Sequence, residues 1–220
     1  MAKTKVISAK EAAALVKDGM TVMIGGFMTN GTADSIVKEV AAQGAQNLTV
    51  ICNDAGFQGI GTGRLLETHQ CKKLYASHVG LNKQCGEQYS AGELDLILQP
   101  QGTLAEQVRA GGNGLGGFLT PTGLGTIVAD GKQIVEVDGK EYVLEKPLRA
   151  DVAICQGYIA DESGNIRYKG STRNFNPLMA SAADIVIFEV EKIVPAGEIG
   201  PDYVETPHIY VDYLVLKEEA

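Results

Sequence analysis

The sequence predicts an α/β protein in three layers, with a mostly parallel sheet, helices on both of its faces and β-hairpin extensions. Three observations lead to this prediction. Short apolar runs alternate with segments whose apolar residues recur at helical spacing. Strand, loop, helix and strand follow one another within residues 20–52, a βαβ arrangement that implies parallel pairing. Farther along, Asp138-Gly139 separates two strand-like segments and indicates a hairpin.

The first elements come from the N-terminal quarter of the chain. Ser8 and Glu11 have the spacing of a capping box, which predicts a short helix continuing from Ala12 to Val16. Asp18-Gly19 is predicted to end it, because glycine accepts the left-handed conformation of a helix cap. The elements predicted next are the strand Met20–Ile24, the helix Ala33–Gln43 and the strand Leu48–Cys52.

The remaining elements follow the same logic. Thr103 and Glu106 fit a second capping box and predict a helix from Thr103 to Ala110. Another helix is predicted from Phe175 to Ala183, and the glycine-rich residues 111–125 are interpreted as one long functional loop. The predicted strands are Lys73–Ser77, Leu94–Leu98, Lys132–Val137, Lys140–Leu144, Val152–Tyr158, Ile166–Tyr168, Asp184–Val190 and Tyr210–Leu216.

Composition limits the possible functions. A length of 220 residues favours one domain spanning 1–220, and a net charge of −8 argues against a nucleic-acid surface. No apolar run is long enough to span a bilayer, and the N-terminal residues do not resemble a signal peptide. The four cysteines are scattered and the three histidines lie far apart, so we expect reduced thiols, no metal site and a cytoplasmic location.

Several glycine motifs have to be distinguished. Residues 112–117 match G-x-G-x-x-G, but a predicted helix precedes them and Thr120-Pro121 follows, so a dinucleotide site is not predicted. Residues 59–63 are interpreted as the turn before a helix around Leu65. Residues 25–31 are different, because they follow the carboxyl end of a buried strand, where ligands bind in open parallel sheets. A binding loop and a purely structural turn both remain open for them.

A family resemblance rests on these residues. Residues 18–32 closely resemble the signature of class I coenzyme A-transferases, in which a proline usually stands at the position of Ala33. Four further segments look like family motifs in the family order: Cys52–Gly56, Pro100–Glu106, residues 111–125 and Thr172–Asn176. The chain is especially similar to the alpha subunits of bacterial acetate, butyrate and acetoacetate CoA-transferases.

The resemblance implies a ping-pong transfer of CoA from a short-chain acyl-CoA to a short-chain carboxylic acid. The reaction passes through a glutamyl-CoA thioester on a beta subunit, so we expect a heterodimer, an α2β2 assembly or a larger one. No tightly bound cofactor is implied, and the CoA thioester is a substrate. The chain's only E-x-G is Glu162-Ser163-Gly164, which is interpreted as a turn between strands. The chain is therefore predicted to be inactive alone.

The resemblance also implies roles for individual residues. Asn53 occupies the position of an oxyanion-stabilising amide, and Gln101 the position near the substrate carboxylate, beside a helix N-terminus. The structural alternatives are a turn residue bonding its own backbone for Asn53 and a helix-capping neighbour for Gln101. Cys52 and His78 are assigned to packing. The residues implied to line the CoA site are Gly25, Gly26, Phe27, Met28, Thr29, Asn30 and Gly31.

A second function belongs to another class. The same architecture is shared with sugar-phosphate isomerases and with ligand-sensing domains of regulators, so a binding module for an acyl-CoA or a phosphosugar is the alternative. The number of matched motifs favours the transferase.

Overall fold

A computed structural model describes residues 4–217, and in that part of the chain it confirms the predicted α/β fold. The strands of the main sheet are β1 (Lys5–Val6), β2 (Thr21–Ile24), β3 (Leu48–Cys52), β4 (Cys71–Ala76), β5 (Asp95–Leu98), β9 (Ala150–Gln156), β12 (Ala183–Val190) and β14 (Tyr213–Leu216). Their order is β1-β14-β12-β9-β2-β3-β4-β5, and all neighbours are parallel.

Helices cover both faces of this sheet. They are α1 (Ala9–Ala13), α2 (Asp34–Gln43), α3 (Thr62–Glu67), α4 (Lys83–Ser90), α5 (Gln101–Gly112) and α6 (Asn176–Ala180). Successive strand residues point to opposite faces. Val22 therefore packs in one core with α1 to α4, whereas Met23 packs in the other with α5 and α6. The three predicted layers are confirmed.

Two small sheets extend the main one. The strands β6 (Phe118–Thr120), β7 (Ile134–Val137) and β8 (Lys140–Glu145) form an antiparallel sheet in the order β6-β8-β7. Asp138 and Gly139 join β7 to β8 with φ angles of 50° and 74°, which confirms the predicted hairpin. The other sheet contains β10 (Ile159–Asp161), β11 (Ile166–Arg167) and β13 (Lys192–Val194).

Some predicted boundaries differ from the structure. The Ser8–Glu11 capping box is confirmed, with Glu11 N donating to Ser8 Oγ at 3.2 Å and Ser8 N donating to Glu11 Oε2 at 2.8 Å. The helix it opens already ends at Ala13, so Gly19 takes its left-handed φ of 76° in a later turn rather than at a cap. Helix α6 is shorter than predicted, and β14 begins at Tyr213 because residues 208–210 form a 3-10 turn.

The second predicted capping box is wrong. Helix α5 begins two residues before Thr103, after Pro100, and Thr103 is buried within its first turn. Glu106 Oε2 instead accepts a hydrogen bond from Arg109 Nε at 2.7 Å. The helix also continues through Gly112, so residues 111–125 are not one long loop but include a helix end and strand β6.

The parallel topology gathers the candidate residues at one edge of the main sheet. The strands β2, β3, β4 and β5 lie side by side, so their carboxyl ends face the same direction. Gly25, Asn53, Ser77 and Gln99 follow these four ends in turn. We call this the carboxyl edge. Because neighbouring strands lie about 4.8 Å apart, residues that follow β3 and β5 are separated by roughly 10 Å.

Candidate active site

Residues 25–31, here called the glycine turn, fold into a tight and strained loop. The backbones of Phe27 and Asn30 exchange hydrogen bonds of 2.9 Å in both directions. Between them Met28 and Thr29 have φ angles of 48° and 67°, so both central residues are left-handed, as in a type I′ turn. Non-glycine residues held this way cost on the order of 1–3 kcal/mol each, and such strain clusters at functional sites.

A distant segment holds the glycine turn in place. Asn174 Oδ1 accepts a hydrogen bond from Gly26 N at 3.2 Å, and Asn174 Nδ2 donates to Asn30 O at 2.9 Å. The fully buried Asn176 donates through Nδ2 to Gly31 O at 3.0 Å. Thr172–Asn176, quoted above only as a family motif, is therefore a support for the turn. No local sequence signal indicated this partnership.

The glycines at both ends of the turn are required by close packing. A Cβ at Gly25 would collide with the side-chain oxygen of Asn176. A Cβ at Gly31 would lie 2.6 Å from Thr172 O, and Gly31 also has a φ of 78°. These two glycines are therefore needed for the shape of the turn, as the structural interpretation holds. The tip of the turn is nevertheless open to solvent, because Phe27 and Met28 are 49% and 42% exposed.

Few backbone N–H groups of the turn remain available to a ligand. Those of Gly25, Gly26, Phe27, Met28 and Asn30 donate to protein acceptors. Within residues 4–217, only the N–H groups of Thr29 and Gly31 in this turn have no acceptor. Binding of a ligand oxygen by this backbone is therefore restricted to two donors.

Asn53 lies directly after β3 and is 1% exposed. Its Nδ2 donates to Asp54 Oδ2 at 2.9 Å, and Ser77 Oγ donates to Asn53 O at 2.8 Å. The amide therefore does not bond its own backbone, and that structural alternative is wrong. Because an amide nitrogen carries two hydrogens, the second N–H of Asn53 remains unused in the described part of the chain.

Asp54 is the residue that sequence reasoning missed. Its carboxylate is 7% exposed and accepts three N–H groups, from Met28 N at 2.8 Å, Gly56 N at 2.9 Å and Asn53 Nδ2 at 2.9 Å. It thereby joins the glycine turn to Asn53. The sequence signals for Asp54 were its place next to Asn53 at a strand end and its inclusion in the family motif Cys52–Gly56.

Gln101 stands apart from this network. It is the first residue of α5, its side chain is exposed, and no hydrogen bond to it is formed within residues 4–217. Strand β4 separates its strand from that of Asn53. The free N–H groups and positive dipole end of α5 surround it and favour an anion there. The structure does not bring Gln101 into contact with Asn53.

The two residues assigned to packing behave differently. Cys52 is 2% exposed, and burial, followed by the negative charge of Asp54, raises the pKa of its thiol. Its assignment to packing is confirmed. His78 is exposed, because it lies two residues past the end of β4, beside Asp54. The packing assignment of His78 is wrong, and its imidazole lies at the carboxyl edge.

Glu162 lies in the turn between β10 and β11, as predicted from the sequence. The neighbouring Asp161 organises this turn by accepting hydrogen bonds from Ser163 N at 3.0 Å and from Asn165 N and Nδ2 at 2.9 Å each. Burial alone would raise the pKa of Asp161, but these N–H groups together with that of Gly197 lower it. The turn is explained by its own hydrogen bonds.

A buried carboxyl supports the helix that follows the glycine turn. Glu189, near the end of β12, is 1% exposed and accepts a hydrogen bond from Ser35 Oγ in the first turn of α2. Burial raises its pKa, although the Ser35 hydroxyl opposes that rise, and its Oε1 has no partner within residues 4–217. Glu189 acts at the start of α2, where Ala33 provides no side-chain cap.

The described residues were also compared with the requirements of a metal site, a dinucleotide motif and a membrane-spanning helix. Among residues 4–217 no three His, Cys, Asp or Glu side chains lie close enough to hold a metal ion. Residues 112–117 begin at the last residue of helix α5 and lead into strand β6, and this order does not fit a dinucleotide motif, as predicted. None of the helices in that range has the length and apolar character needed to cross a membrane.

The void beneath the glycine turn is very small. Its lining includes Gly26, Thr29, Asp54 and Thr62, and it encloses about 10 Å³. A water molecule needs at least that much room, so no substrate enters there. The candidate residues that are open to solvent include Phe27, Met28 and Gln101.

Comparisons with known proteins identify the family. The profile of the family described as "Coenzyme A transferase" matches residues 6–217. The chain is 46% identical over 218 residues to the acetate CoA-transferase subunit alpha of Escherichia coli K12, covering 99% of both chains. It is also 46% identical over 217 residues to the acetoacetyl-CoA:acetate/butyrate CoA transferase alpha subunit of Clostridium acetobutylicum, again covering 99% of both.

A solved structure supports the fold. The chain superposes on an acyl-CoA transferase of Escherichia coli O157:H7, determined as a thioester complex with CoA, with a TM-score of 0.86. The sequences are 23% identical, and the match covers 98% of this chain and 47% of that one. The present chain thus corresponds to about half of that longer polypeptide.

Proposed function

The chain belongs to the coenzyme A transferase family, and from that premise we propose that it is the alpha subunit of an enzyme that moves CoA from a short-chain acyl-CoA to a short-chain carboxylic acid. The observation that carries the proposal is the 46% identity to an alpha subunit across 99% of both chains. These comparisons do not favour the sensing or isomerase alternative.

The reaction proposed for the assembled enzyme uses a glutamate of the beta subunit. Its carboxylate attacks the thioester carbonyl, the C–S bond breaks, and an acyl-glutamyl anhydride and the CoA thiolate form. The thiolate then attacks the glutamyl carbonyl, which releases the first carboxylate and leaves a glutamyl-CoA thioester. The acceptor acid repeats these steps in reverse. CoA enters as a substrate, and no tightly bound cofactor takes part.

We propose that Asn53 supplies the donor for the oxygen that becomes negative during these attacks. Its unused Nδ2 hydrogen and its place at the carboxyl edge support this role. A preorganised donor in a site of low polarity stabilises developing charge more than water does, since it needs no reorganisation.

We assign binding of the acid's carboxylate to Gln101 and binding of CoA to the glycine turn. Support for Gln101 comes from its exposed amide at the N-terminus of α5, where the helix dipole favours an anion. For the turn, support comes from the exposed Phe27 and Met28 and from the two unused N–H groups of Thr29 and Gly31. Buried, unpaired cysteines support a cytoplasmic location.

Coexpression with a beta subunit of similar size tests the proposal. Light scattering is expected to give an assembly of both chains, as a heterodimer, an α2β2 particle or a larger one. CoA transfer from acetyl-CoA to butyrate is expected from the assembly and absent from the chain alone. A particle that binds acyl-CoA without turnover would favour the sensing alternative.

The variant Glu162→Ala tests the division of labour between the subunits. The assembled enzyme is expected to keep its activity, because Glu162 lies in the β10–β11 turn. Loss of all turnover in this variant would make Glu162 the nucleophile. Turnover by the chain alone that survives the substitution would show that the reaction needs no partner.

A further inference from the structure

Asp54 is a buried carboxylate that is stabilised by N–H groups rather than by a cation. It is 7% exposed, and no Lys, Arg or His within residues 4–217 forms an ion pair with it. Its charge is instead distributed over donors from three places: Met28 N, Gly56 N and Asn53 Nδ2. Charge-assisted hydrogen bonds of this kind are shorter and stronger than neutral ones. Each donor is therefore strongly oriented by this one carboxylate.

One oxygen of Asp54 connects the two parts of the candidate site. Oδ2 accepts both from Met28 N, at 2.8 Å, and from Asn53 Nδ2, at 2.9 Å. Met28 is one of the two left-handed residues at the tip of the glycine turn. The supports from Asn174 and Asn176 reach Gly26, Asn30 and Gly31 but not the tip. Asp54 is the side chain that holds the tip itself.

The same oxygen determines which way the Asn53 amide faces. Apart from Asp54, the nearest polar contact of this amide is Ser77 Oγ, 3.4 Å from Asn53 Oδ1. That distance allows only a weak bond. The hydrogen bond to Asp54 therefore keeps Nδ2, and not Oδ1, on the side of the glycine turn. Without it the amide could rotate and turn its oxygen toward a developing negative charge.

Water cannot easily replace the carboxylate. The void beside Asp54, which Gly26, Thr29 and Thr62 also line, encloses about 10 Å³. That is about the minimum for one water molecule. An isosteric replacement such as Asp54→Asn does not enlarge this void, so water has little room to supply the acceptor that is lost.

We propose that Asp54 is a positioning residue for the transfer reaction: its carboxylate holds the Asn53 amide in its donating orientation and ties it to the tip of the glycine turn. The inference rests on the proposed function. Asp54 does not contact the reacting atoms in this account, and its effect on the chemical steps passes through Asn53.

The test is a double-mutant cycle in the assembled enzyme. Asp54→Asn keeps the size of the side chain but replaces one acceptor oxygen by an NH2 group, which opposes the N–H donors. It is expected to lower kcat by about tenfold or more, with the KM for the acid nearly unchanged. In the Asn53→Ala background the same change is expected to lower kcat by less than about twofold, because the residue it orients is gone.

Asp161→Asn is the matched control. Asp161 is also a buried aspartate that accepts three short N–H hydrogen bonds, including one from an asparagine Nδ2, but it ends strand β10, next to the β10–β11 turn. Its kcat is expected to stay within about twofold of wild type. If Asp54→Asn does not yield an assembled enzyme, Asp54→Ser, which retains a single acceptor, takes its place in the cycle.

Four results separate the possible failures. A wild-type assembly without CoA transfer contradicts the proposed function itself. Wild-type kcat in Asn53→Ala removes the residue through which Asp54 is supposed to act. If Asn53→Ala is slow while Asp54→Asn has wild-type kcat, or if the two losses multiply in full, the positioning role alone is overturned. An equal loss in Asp161→Asn would show a general effect of stability.

Discussion

The glycine turn and the β10–β11 turn are held by the same arrangement of hydrogen bonds, but the arrangement supports different parts of the protein. In each, a buried aspartate accepts three N–H hydrogen bonds of 3.0 Å or shorter, and one donor is the side chain of an asparagine: Asn53 for Asp54, and Asn165 for Asp161. The asparagine–aspartate distance is 2.9 Å in both. Each turn also contains a glycine whose Cβ would collide with a neighbour.

The difference lies in where the donors come from. The three short hydrogen bonds of Asp161 come from its own hairpin, up to four positions away, whereas its distant donor, Gly197 N, lies 3.5 Å away. Asp54 reaches 26 residues back to Met28, so it fixes a strained tip relative to an amide on another strand. The distant hydrogen bond of Asp54 is short, at 2.8 Å, and joins two separate segments at the carboxyl edge. The aspartate motif is therefore not itself a sign of function.

The largest contrast is expected between the two asparagines. Asn53→Ala is expected to lower kcat and kcat/KM together by about a hundredfold or more, since a donor used only during attack is lost. Asn165→Ala removes the equivalent bond in the local turn and is expected to keep kcat within about twofold. Steady-state kinetics of both assembled variants provide the measurement. Equal losses would remove the distinction between the two turns.

One glycine in each turn allows the glycine turn and the β10–β11 turn to be compared again. Gly25→Ala places a Cβ against the buried Asn176, and Gly164→Ala places one against Thr4 at a φ of 96°. Both are expected to destabilise the chain by about 1–3 kcal/mol, seen as a lower melting temperature. Only Gly25→Ala is expected also to reduce transfer in the assembled enzyme, because it displaces the glycine turn.

Gly86→Ala is the control for both glycine variants. Gly86 lies in helix α4, and a Cβ there would meet nothing within 4 Å. It is expected to stabilise the chain by about 0.5–1 kcal/mol, because alanine favours helix. An unchanged melting temperature in Gly25→Ala would mean that the glycine turn adjusts to the added Cβ without a loss of stability.

Substitution of Gln101 tests whether the active site extends along the carboxyl edge beyond Asp54 and its hydrogen-bond partners. Gln101→Ala is expected to raise the KM for the acid about tenfold and to leave kcat nearly unchanged, as for an interaction made equally in ground and transition states. Gln133→Ala, which changes another exposed glutamine at the start of the β7–β8 hairpin, is the control. A fall in kcat without a change in KM would assign Gln101 to the chemical step instead.

The smallest effect is a pH dependence of stability in the local turn. The pKa of Asp161 is lowered from an ordinary value of 3.8, so its ionised form stabilises the folded chain above that pH. Asp161→Asn is expected to lower the free energy of unfolding by about 1 kcal/mol at pH 7. The difference should shrink as the pH falls below 3.8 toward the lowered pKa. Urea unfolding of the purified chain from pH 7 to pH 3 measures it, and a gap independent of pH would contradict the role of the ionised carboxylate.

Much of the fold could be predicted because its signals are local. The Asp138-Gly139 turn forms from two residues that both accept positive φ, and helix α2 follows from apolar residues three and four positions apart. Strand β3 matches its predicted bounds, Leu48–Cys52. The prediction of the second capping box is wrong because the helix begins directly after Pro100, two residues before Thr103. The proline next to the pattern, and not the pattern itself, sets the start of the helix.

The sequence alone is enough to predict the order of strands and helices, the parallel pairing of the first βαβ unit and the motifs that identify the family. Which side chains come into contact depends on the tertiary structure. The bond between Gly26 and Asn174 spans 148 positions, and that between Met28 and Asp54 spans 26. Neither leaves a period or a cap in the sequence, because such partners become neighbours only when parallel strands align their carboxyl ends. His78 likewise became an edge residue, and not a packing residue, through the point at which β4 ends.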